Sequence, residues 1–384
     1  MTFEDELANL HEWHFFREFV YSHTTFRPSA SDEVELADSV IWIGSLLFAY
    51  QLKERDKKHA RSGETERRWF EQKVLGRATK QVRDTLRYLR ENSQIALRNH
   101  RGHEFALKLE EIDVIRKLVI YLPDRLLPSD CRAIKHYQSS TAGFIHVISG
   151  DDYLGLVRTL LTPAEVSEYL EVREQIVSRW PDESLRVAEA DLVGQYICGN
   201  WSSAPNAENR EFVQRLQHHA HEWDLSGVIS VFAKRITSVQ SATDYYPIVR
   251  ELALLKRNEL KEFKGRFELA HEKAKKGEAG TPYRIAILRT GCGFVFIPIN
   301  QDQIQTRQNA LQNFTLAHKY DQRLSKCIGV SIADDQDDWF TVEWCYLEYP
   351  WEYDPEIERF LKENDPFLPV RFGESPRYTL DGSD

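Results

Sequence analysis

The stretch Ala37 to Arg55, ADSVIWIGSLLFAYQLKER, constrains the fold more than any other part of the chain. Two runs of β-branched, aromatic and leucine side chains flank Gly44-Ser45, and glycine at the first central position of a two-residue loop suits a type II′ hairpin turn. Such a turn fixes the register: Ile43 faces Leu46, Trp42 faces Leu47, Val40 faces Ala49 and Asp38 faces Gln51. Directly opposed residues share one face of the sheet, with Cβ atoms about 4.5–5.5 Å apart. Side chains alternate along a strand, so Lys53 falls on the face of Gln51 and Leu52 on the other. An apolar hairpin therefore ends in a carboxylate, an amide and an ammonium.

Around this hairpin the pattern reads helix, hairpin, helix, strand, strand, an α/β plan with a mixed sheet. Thr2 and the carboxylates after it open a helix running to about Val20. From Glu66 to about Arg90, Phe70, Val74, Leu75, Ala78, Val82, Leu86 and Leu89 form one stripe of a helix. Lys73, Arg77, Lys80, Arg83, Arg87 and Arg90 occupy its other side. Ile112 to Pro123 and Gly143 to Ser149 read as strands. Beyond Gly150 the pattern is mainly helical, with Thr162-Pro163 as a helix start and Pro247 opening a helix to about Lys276. KKGEAGTP (Lys275 to Pro282) is the internal linker. After it, two hairpins turn at Thr290 to Gly293 and at Asp334 to Asp338. The expected organisation is an N-terminal α/β domain over 1–150, a mainly helical region over 151–280, and a small C-terminal α/β domain with an acidic tail over 281–384.

The net charge of -10 hides an asymmetry. Residues 52–101 hold 15 Lys and Arg against 7 Asp and Glu, whereas residues 331–384 hold 4 against 15. Phosphate binding rests on clustered Lys and Arg, so the local excess beside the hairpin bears on nucleic acid more than the average does. The cysteines (Cys131, Cys198, Cys292, Cys327, Cys345) are odd in number, scattered and without a CxxC pair. This argues against a disulfide framework or a zinc knuckle and fits a reducing cytoplasm. No window reaches the roughly 18 apolar residues of a membrane span, so a cytoplasmic protein with no membrane partner is expected.

Oxygen donors and a lysine converging at a strand end meet the needs of metal-assisted phosphodiester hydrolysis. Mg²⁺ takes hard oxygen ligands, commonly one or two carboxylates with waters, and a lysine can orient water or offset charge on the phosphate. These residues resemble the PD-(D/E)xK nuclease superfamily, whose core is a helix, a hairpin, a crossover helix and further strands. Asp38 matches the first acid, and Gln51-Leu52-Lys53 matches the tripeptide in its QxK form, similar to the Mrr-like branch. The resemblance covers roughly the first 150 residues and implies a restriction-endonuclease-like mixed sheet with flanking helices. It implies Asp38, Gln51 and Lys53 as catalytic residues, and Mg²⁺ or Mn²⁺ held by Asp38, Gln51 and the Leu52 carbonyl. Because Gln51 brings no charge, it also implies a glutamate from the first helix, Glu18, with Glu12 as the alternative. The chain departs from the pattern in reading LAD, without a proline before Asp38. Thr85 stands four residues after Gln81, so the QxxxY pattern of the RecB-like branch is absent.

The implied activity is a metal-dependent endonuclease acting on nucleic acid, with DNA the expected substrate and defence against foreign DNA the expected role. Lys73, Arg77 and Lys80, with Lys57, Lys58 and Arg61 of the preceding loop, are the expected sequence-independent phosphate contacts. The alternative is a nuclease-fold protein without activity that binds nucleic acid or a partner protein, which Gln51 in place of an acid favours. The helical and C-terminal regions are the expected surfaces for self-association or a protein partner. Other features read as ordinary surface: on a helix His218 and His219 diverge by about 100° and, with His221, have no evident Cys or carboxylate partner. HRGH (His100 to His103) is similar. Cys292 between glycines reads as a turn, and the acidic run Ala333 to Asp338 as a solvated loop.

Overall fold

In a computed structural model of the chain, residues 3–22, 24–27, 33–55, 62–217, 241–278, 280–335, 339–369 and 378 are described. They fall into two compact units, Met1–His219 with Tyr378–Asp384, and Ala220–Arg377. The first unit holds β1 (Val20–Ser22), β2 (Thr25–Phe26), β3 (Val34–Glu35), β4 (Ser39–Ile43), β5 (Leu46–Glu54), β6 (Ile95–Arg98), β7 (Glu104–Leu107), β8 (Val114–Leu122), β9 (His136–Ser139) and β10 (Gly143–Ser149). Its main sheet is six-stranded and mixed, in the order β1-β4-β5-β8-β10-β9. β5, β8 and β10 run parallel, and β1 and β9 close the edges antiparallel to their neighbours.

The hairpin has the expected register, from Ile43↔Leu46 through Trp42↔Leu47 and Val40↔Ala49 to Ser39↔Tyr50. Gly44 takes φ +58° and Ser45 is not among the positive-φ residues, as a type II′ turn requires. The strands expected at 112–123 and 143–149 form as β8 and β10. The first helix, expected to reach Val20, spans Phe3–Phe15. Phe16 takes φ +66°, a short 3₁₀ turn covers Arg17–Phe19, and the next residues enter the sheet as β1.

The long amphipathic helix runs from Gly63 to Glu91, capped by Ser62, whose hydroxyl accepts from the Thr65 N–H at 3.2 Å. Phe70–Ala78 within it is π-helical. The spacing explains why. Its sheet-facing residues Glu66, Phe70, Val74, Ala78, Val82 and Leu86 recur every four positions and are buried. In a regular α-helix each four-residue step overshoots one turn by about 40°, so such a stripe drifts off the sheet. A π segment has a wider turn and takes that drift back. The stripe then joins one core with Val40, Leu47, Val119, Tyr121, Ile145 and Val147 of the sheet.

Helices Gly150–Leu160, Pro163–Arg179 and Glu189–Ile197 belong to this same unit, so the compact division falls near residue 219 and not at 150 and 280. A buried ion pair ties them to the sheet. Arg173 donates through Nε to Glu189 Oε1 (2.6 Å) and through Nη2 to Oε2 (3.0 Å), and it also donates to the carbonyls of Lys135 and Val147. Burial opposes ionisation of Glu189, but the Arg173 guanidinium and Lys135 hold its carboxyl below the usual range. Sequence patterning misses this because the anchor is a cation on an otherwise apolar helix face.

The second unit is built on β11 (Tyr283–Ile287), β12 (Cys292–Ile299), β13 (Lys326–Asp335) and β14 (Trp339–Glu348), in that spatial order. β12 and β13 are parallel, joined across helix Arg307–Asp321, and the outer pairs are antiparallel. The helix expected from Pro247 is two, Tyr246–Ala253 and Arg257–Lys275. Both expected hairpins form. The first turns over residues 288–291, where Gly291 takes φ +64°, two residues earlier than the sequence suggests. The second turn, 336–338, lies outside the described residues. No helix among the described residues is long and apolar enough to cross a membrane.

Arg173→Met should cost about 3–5 kcal/mol in urea unfolding, because it leaves Glu189 charged and buried without its partner. A loss under about 1 kcal/mol would show that the pair does not anchor the helical region.

Candidate active site at the open end of the hairpin

Pairing between β4 and β5 stops at Ser39↔Tyr50. Leu52, further along β5, has no partner in β4, and side chains complete the ladder instead. Asp38 Oδ2 accepts from the Leu52 N–H at 2.5 Å, and the Leu52 carbonyl accepts from Lys53 Nζ at 2.7 Å. Lys53 Nζ also lies 3.3 Å from that same Asp38 oxygen. The ammonium thus bridges a carboxylate and a carbonyl, with the Lys53 and Asp38 side chains only 14% and 17% exposed. Asp38 and Gln51, expected to face each other, sit one step beyond the last ladder pair. The Asp38 carboxylate turns to the Leu52 amide, since an unpaired N–H at a sheet edge is costly to leave unmet.

Gln51 and Lys53 pair with Val119 and Tyr121 of β8, whose side chains lie in the core under the long helix. The polar cluster is therefore on the face the long helix covers. Gln51 is 2% exposed, and its Oε1 has no hydrogen-bond donor. A carbonyl oxygen in that position carries the desolvation cost of an unmade bond, about 1–3 kcal/mol.

The other face of β5 is tied down by a buried polar chain. Tyr153 donates its hydroxyl proton to Tyr50 Oη at 2.7 Å, and its oxygen lies 3.0 Å from His11 Nε2 on the first helix. Burial, reinforced by His100 and His14, lowers the His11 pKa to about 3, so the ring is neutral. Burial likewise pushes the Tyr50 phenol up. These groups hold the strand, with β5 clamped between helices on both faces.

The remaining expected site residues are not brought to this cluster. Glu18 lies in the 3₁₀ turn before β1, and Val20↔Ile41 places it at the level of Ile43, beside the Gly44 turn. That is the opposite end of β4 from Asp38, roughly 16 Å along the strand at about 3.3 Å per residue. Glu18 Oε1 accepts from Arg101 Nε at 2.8 Å. The helix that would have carried Glu18 toward the cluster ends at Phe15. Glu12 contacts Arg17 Nε at 2.6 Å and His100 Nδ1 at 2.7 Å.

A buried acid that the pattern did not single out is Glu66, at the C-terminal ends of β5 and β8. Its Oε1 accepts from the Asp124 N–H at 3.1 Å, and its Oε2 lies 3.0 Å from Arg55 Nε without hydrogen-bond alignment. The signal was present, because a carboxylate occupies the buried four-residue stripe of the long helix. Arg55 also stacks over Trp69 at 5.9 Å.

On the outer side of the long helix Lys73, Arg77 and Lys80 are exposed, with no carboxylate partner among the described residues. Arg87, by contrast, pairs with Asp84 and Glu91. Lys57, Lys58 and Arg61, and His218, His219 and His221, lie outside the described residues. Cys292 is buried, and burial pushes its thiol up.

Among the described residues no group of three or more His, Cys, Asp or Glu side chains could hold a metal ion. The donors at the cluster are of another kind: one carboxylate (Asp38), one main-chain carbonyl (Leu52) and one buried amide oxygen without a donor (Gln51). Hard oxygens of low total charge suit Mg²⁺, which keeps several waters and binds through one or two carboxylates together with substrate phosphate. The donor types present are ones that such an ion accepts.

If Gln51 Oε1 is held in readiness for a ligand, removing it should stabilise the free protein. Gln51→Met, similar in volume, should raise unfolding stability by about 1 kcal/mol in urea titration. Destabilisation by that amount would show that the amide is satisfied and structural.

Comparison with known proteins finds no family model, no curated sequence and no solved structure that matches this chain.

Proposed function

We propose that the first unit is a metal-dependent nuclease that hydrolyses phosphodiester bonds, with DNA as substrate. The observation that carries the reading is the buried, donorless Gln51 oxygen at the strand end where a carboxylate, a main-chain carbonyl and a lysine meet. Asp38, Gln51 and the Leu52 carbonyl would hold Mg²⁺ or Mn²⁺. Such an ion, when bound, lowers the pKa of water and polarises the scissile phosphate. Lys53, released from Asp38, donates to a non-bridging phosphate oxygen and offsets the charge that builds there. Asp38 keeps the β5 edge in place through the Leu52 amide. Lys73, Arg77 and Lys80 hold the substrate backbone without reading sequence. A role in defence against foreign DNA belongs to the same proposal and rests on the resemblance of the DxnQxK pattern.

A second reading, a nucleic-acid-binding protein without cleavage, is favoured by one specific finding. Glu18 stands at the far end of β4, and among the described residues no further acid joins Asp38 in a metal-holding group.

Plasmid and single-stranded DNA incubated with Mg²⁺ or Mn²⁺ should be cut, and Asp38→Ala and Lys53→Ala should each lower the rate at least about a hundredfold. Variants that cut like the parent contradict the assignment, and binding without cutting favours the second reading. Replacing Lys73, Arg77 and Lys80 together with Ala should weaken DNA binding. It should also flatten the slope of log affinity against log salt by about one unit per residue. An unchanged slope would remove this face from the interface.

A further inference from the structure

β14 is the outer strand of the second unit's sheet, and its only charged side chains are two carboxylates, Glu343 and Glu348. Native edges are kept short, bulged, or marked with Lys or Pro. The other edges obey this: β1 has three residues, β9 four and β11 five. β14 has ten, WFTVEWCYLE, without Lys, Arg or Pro. It pairs with β13 in ten consecutive steps from Lys326↔Glu348 to Asp335↔Trp339, so no bulge twists it away. Among the described residues no strand pairs with its outer side.

Its side chains are also incompletely covered. Every residue of β12 is buried, whereas residues 340–348 are all half-buried or exposed. Phe340 packs on Phe267 and His271, and Trp344 stacks on Phe263, on one face. Cys345 packs on the opposite face. Both carboxylates of the strand's described side chains are neutralised within the unit. Glu343 pairs with Arg307, and Glu348 accepts from Arg250 Nη2 at 3.2 Å and from the Tyr346 hydroxyl at 2.8 Å.

We propose that β14 is a self-association edge, and that its occupant is the β14 of a second copy in antiparallel register. A two-fold axis perpendicular to the sheet keeps each face on its own side, so paired residues must sum to an even number. Centring the pair on Trp344 opposes Trp344 with its own copy, Val342 with Tyr346, Thr341 with Leu347 and Glu343 with Cys345. No carboxylate then faces another, and an aromatic and β-branched row continues across the junction. The carboxylates already neutralised by Arg307 and Arg250 leave no net repulsion between the two strands, and the backbone groups demand a strand as partner.

The test is the mass of the full chain in solution, by sedimentation or light scattering over a range of concentrations. The parent should reach twice the chain mass. Thr341→Lys with Leu347→Lys sets two lysines opposite each other twice across the junction, and should raise the dimer dissociation constant about tenfold or more. Unchanged circular dichroism would show that the variant folds. Independently of any variant, amide exchange of residues 339–348 in the parent should slow as concentration rises. A parent that stays monomeric, a double variant that dimerises as tightly, or exchange at β14 that ignores concentration would each overturn the proposal.

Discussion

The turn at Gly44-Ser45 is the constraint on which the first unit depends. A two-residue turn leaves no freedom in pairing, so it decides that Val40 and Leu47 face the long helix and that Asp38 stands at the free end of β5. Slipping the pair by one residue would send the whole apolar set to the wrong face. Glycine's tolerance of φ +58° at position 44 makes this turn inexpensive. Everything polar at the open end is thus a consequence of geometry set six to eight residues away.

That open end combines two roles in tension. Asp38 and Lys53 complete the edge ladder around Leu52, which any strand end needs, and this alone would explain both residues. Gln51 Oε1 does not fit that explanation, because a buried acceptor without a donor weakens the fold that contains it. The long helix reinforces the arrangement. Its π segment keeps a four-residue stripe on the sheet face that carries the cluster, while its outer side presents Lys73, Arg77 and Lys80.

Much of this was legible in the sequence, for identifiable reasons. A two-residue turn, an apolar hairpin, a repeating helix stripe and the apolar runs of β8 and β10 are local signals, so the register, the long helix and both strands are readable in the sequence. Edge strands of three and four residues, such as β1 and β9, are too short for alternation to register. The resemblance implies a first-helix glutamate, and helical patterning running through Phe16 puts Glu18 on that helix. The chain leaves the helix there at φ +66°, a backbone choice that composition does not announce. The helical region's membership in the first unit rests on Arg173 reaching Glu189 and two sheet carbonyls, a long-range polar contact invisible to periodicity. Glu66 was readable in principle, as the one acid in an otherwise apolar stripe.

The most direct measurement of the central claim is anomalous X-ray scattering from crystals of the protein soaked in Mn²⁺. The account predicts a single peak bounded by the Asp38 carboxylate, the Gln51 amide oxygen and the Leu52 carbonyl, with Lys53 displaced from Asp38. A map without a peak there, and with Lys53 still bridging Asp38 and Leu52, would contradict it.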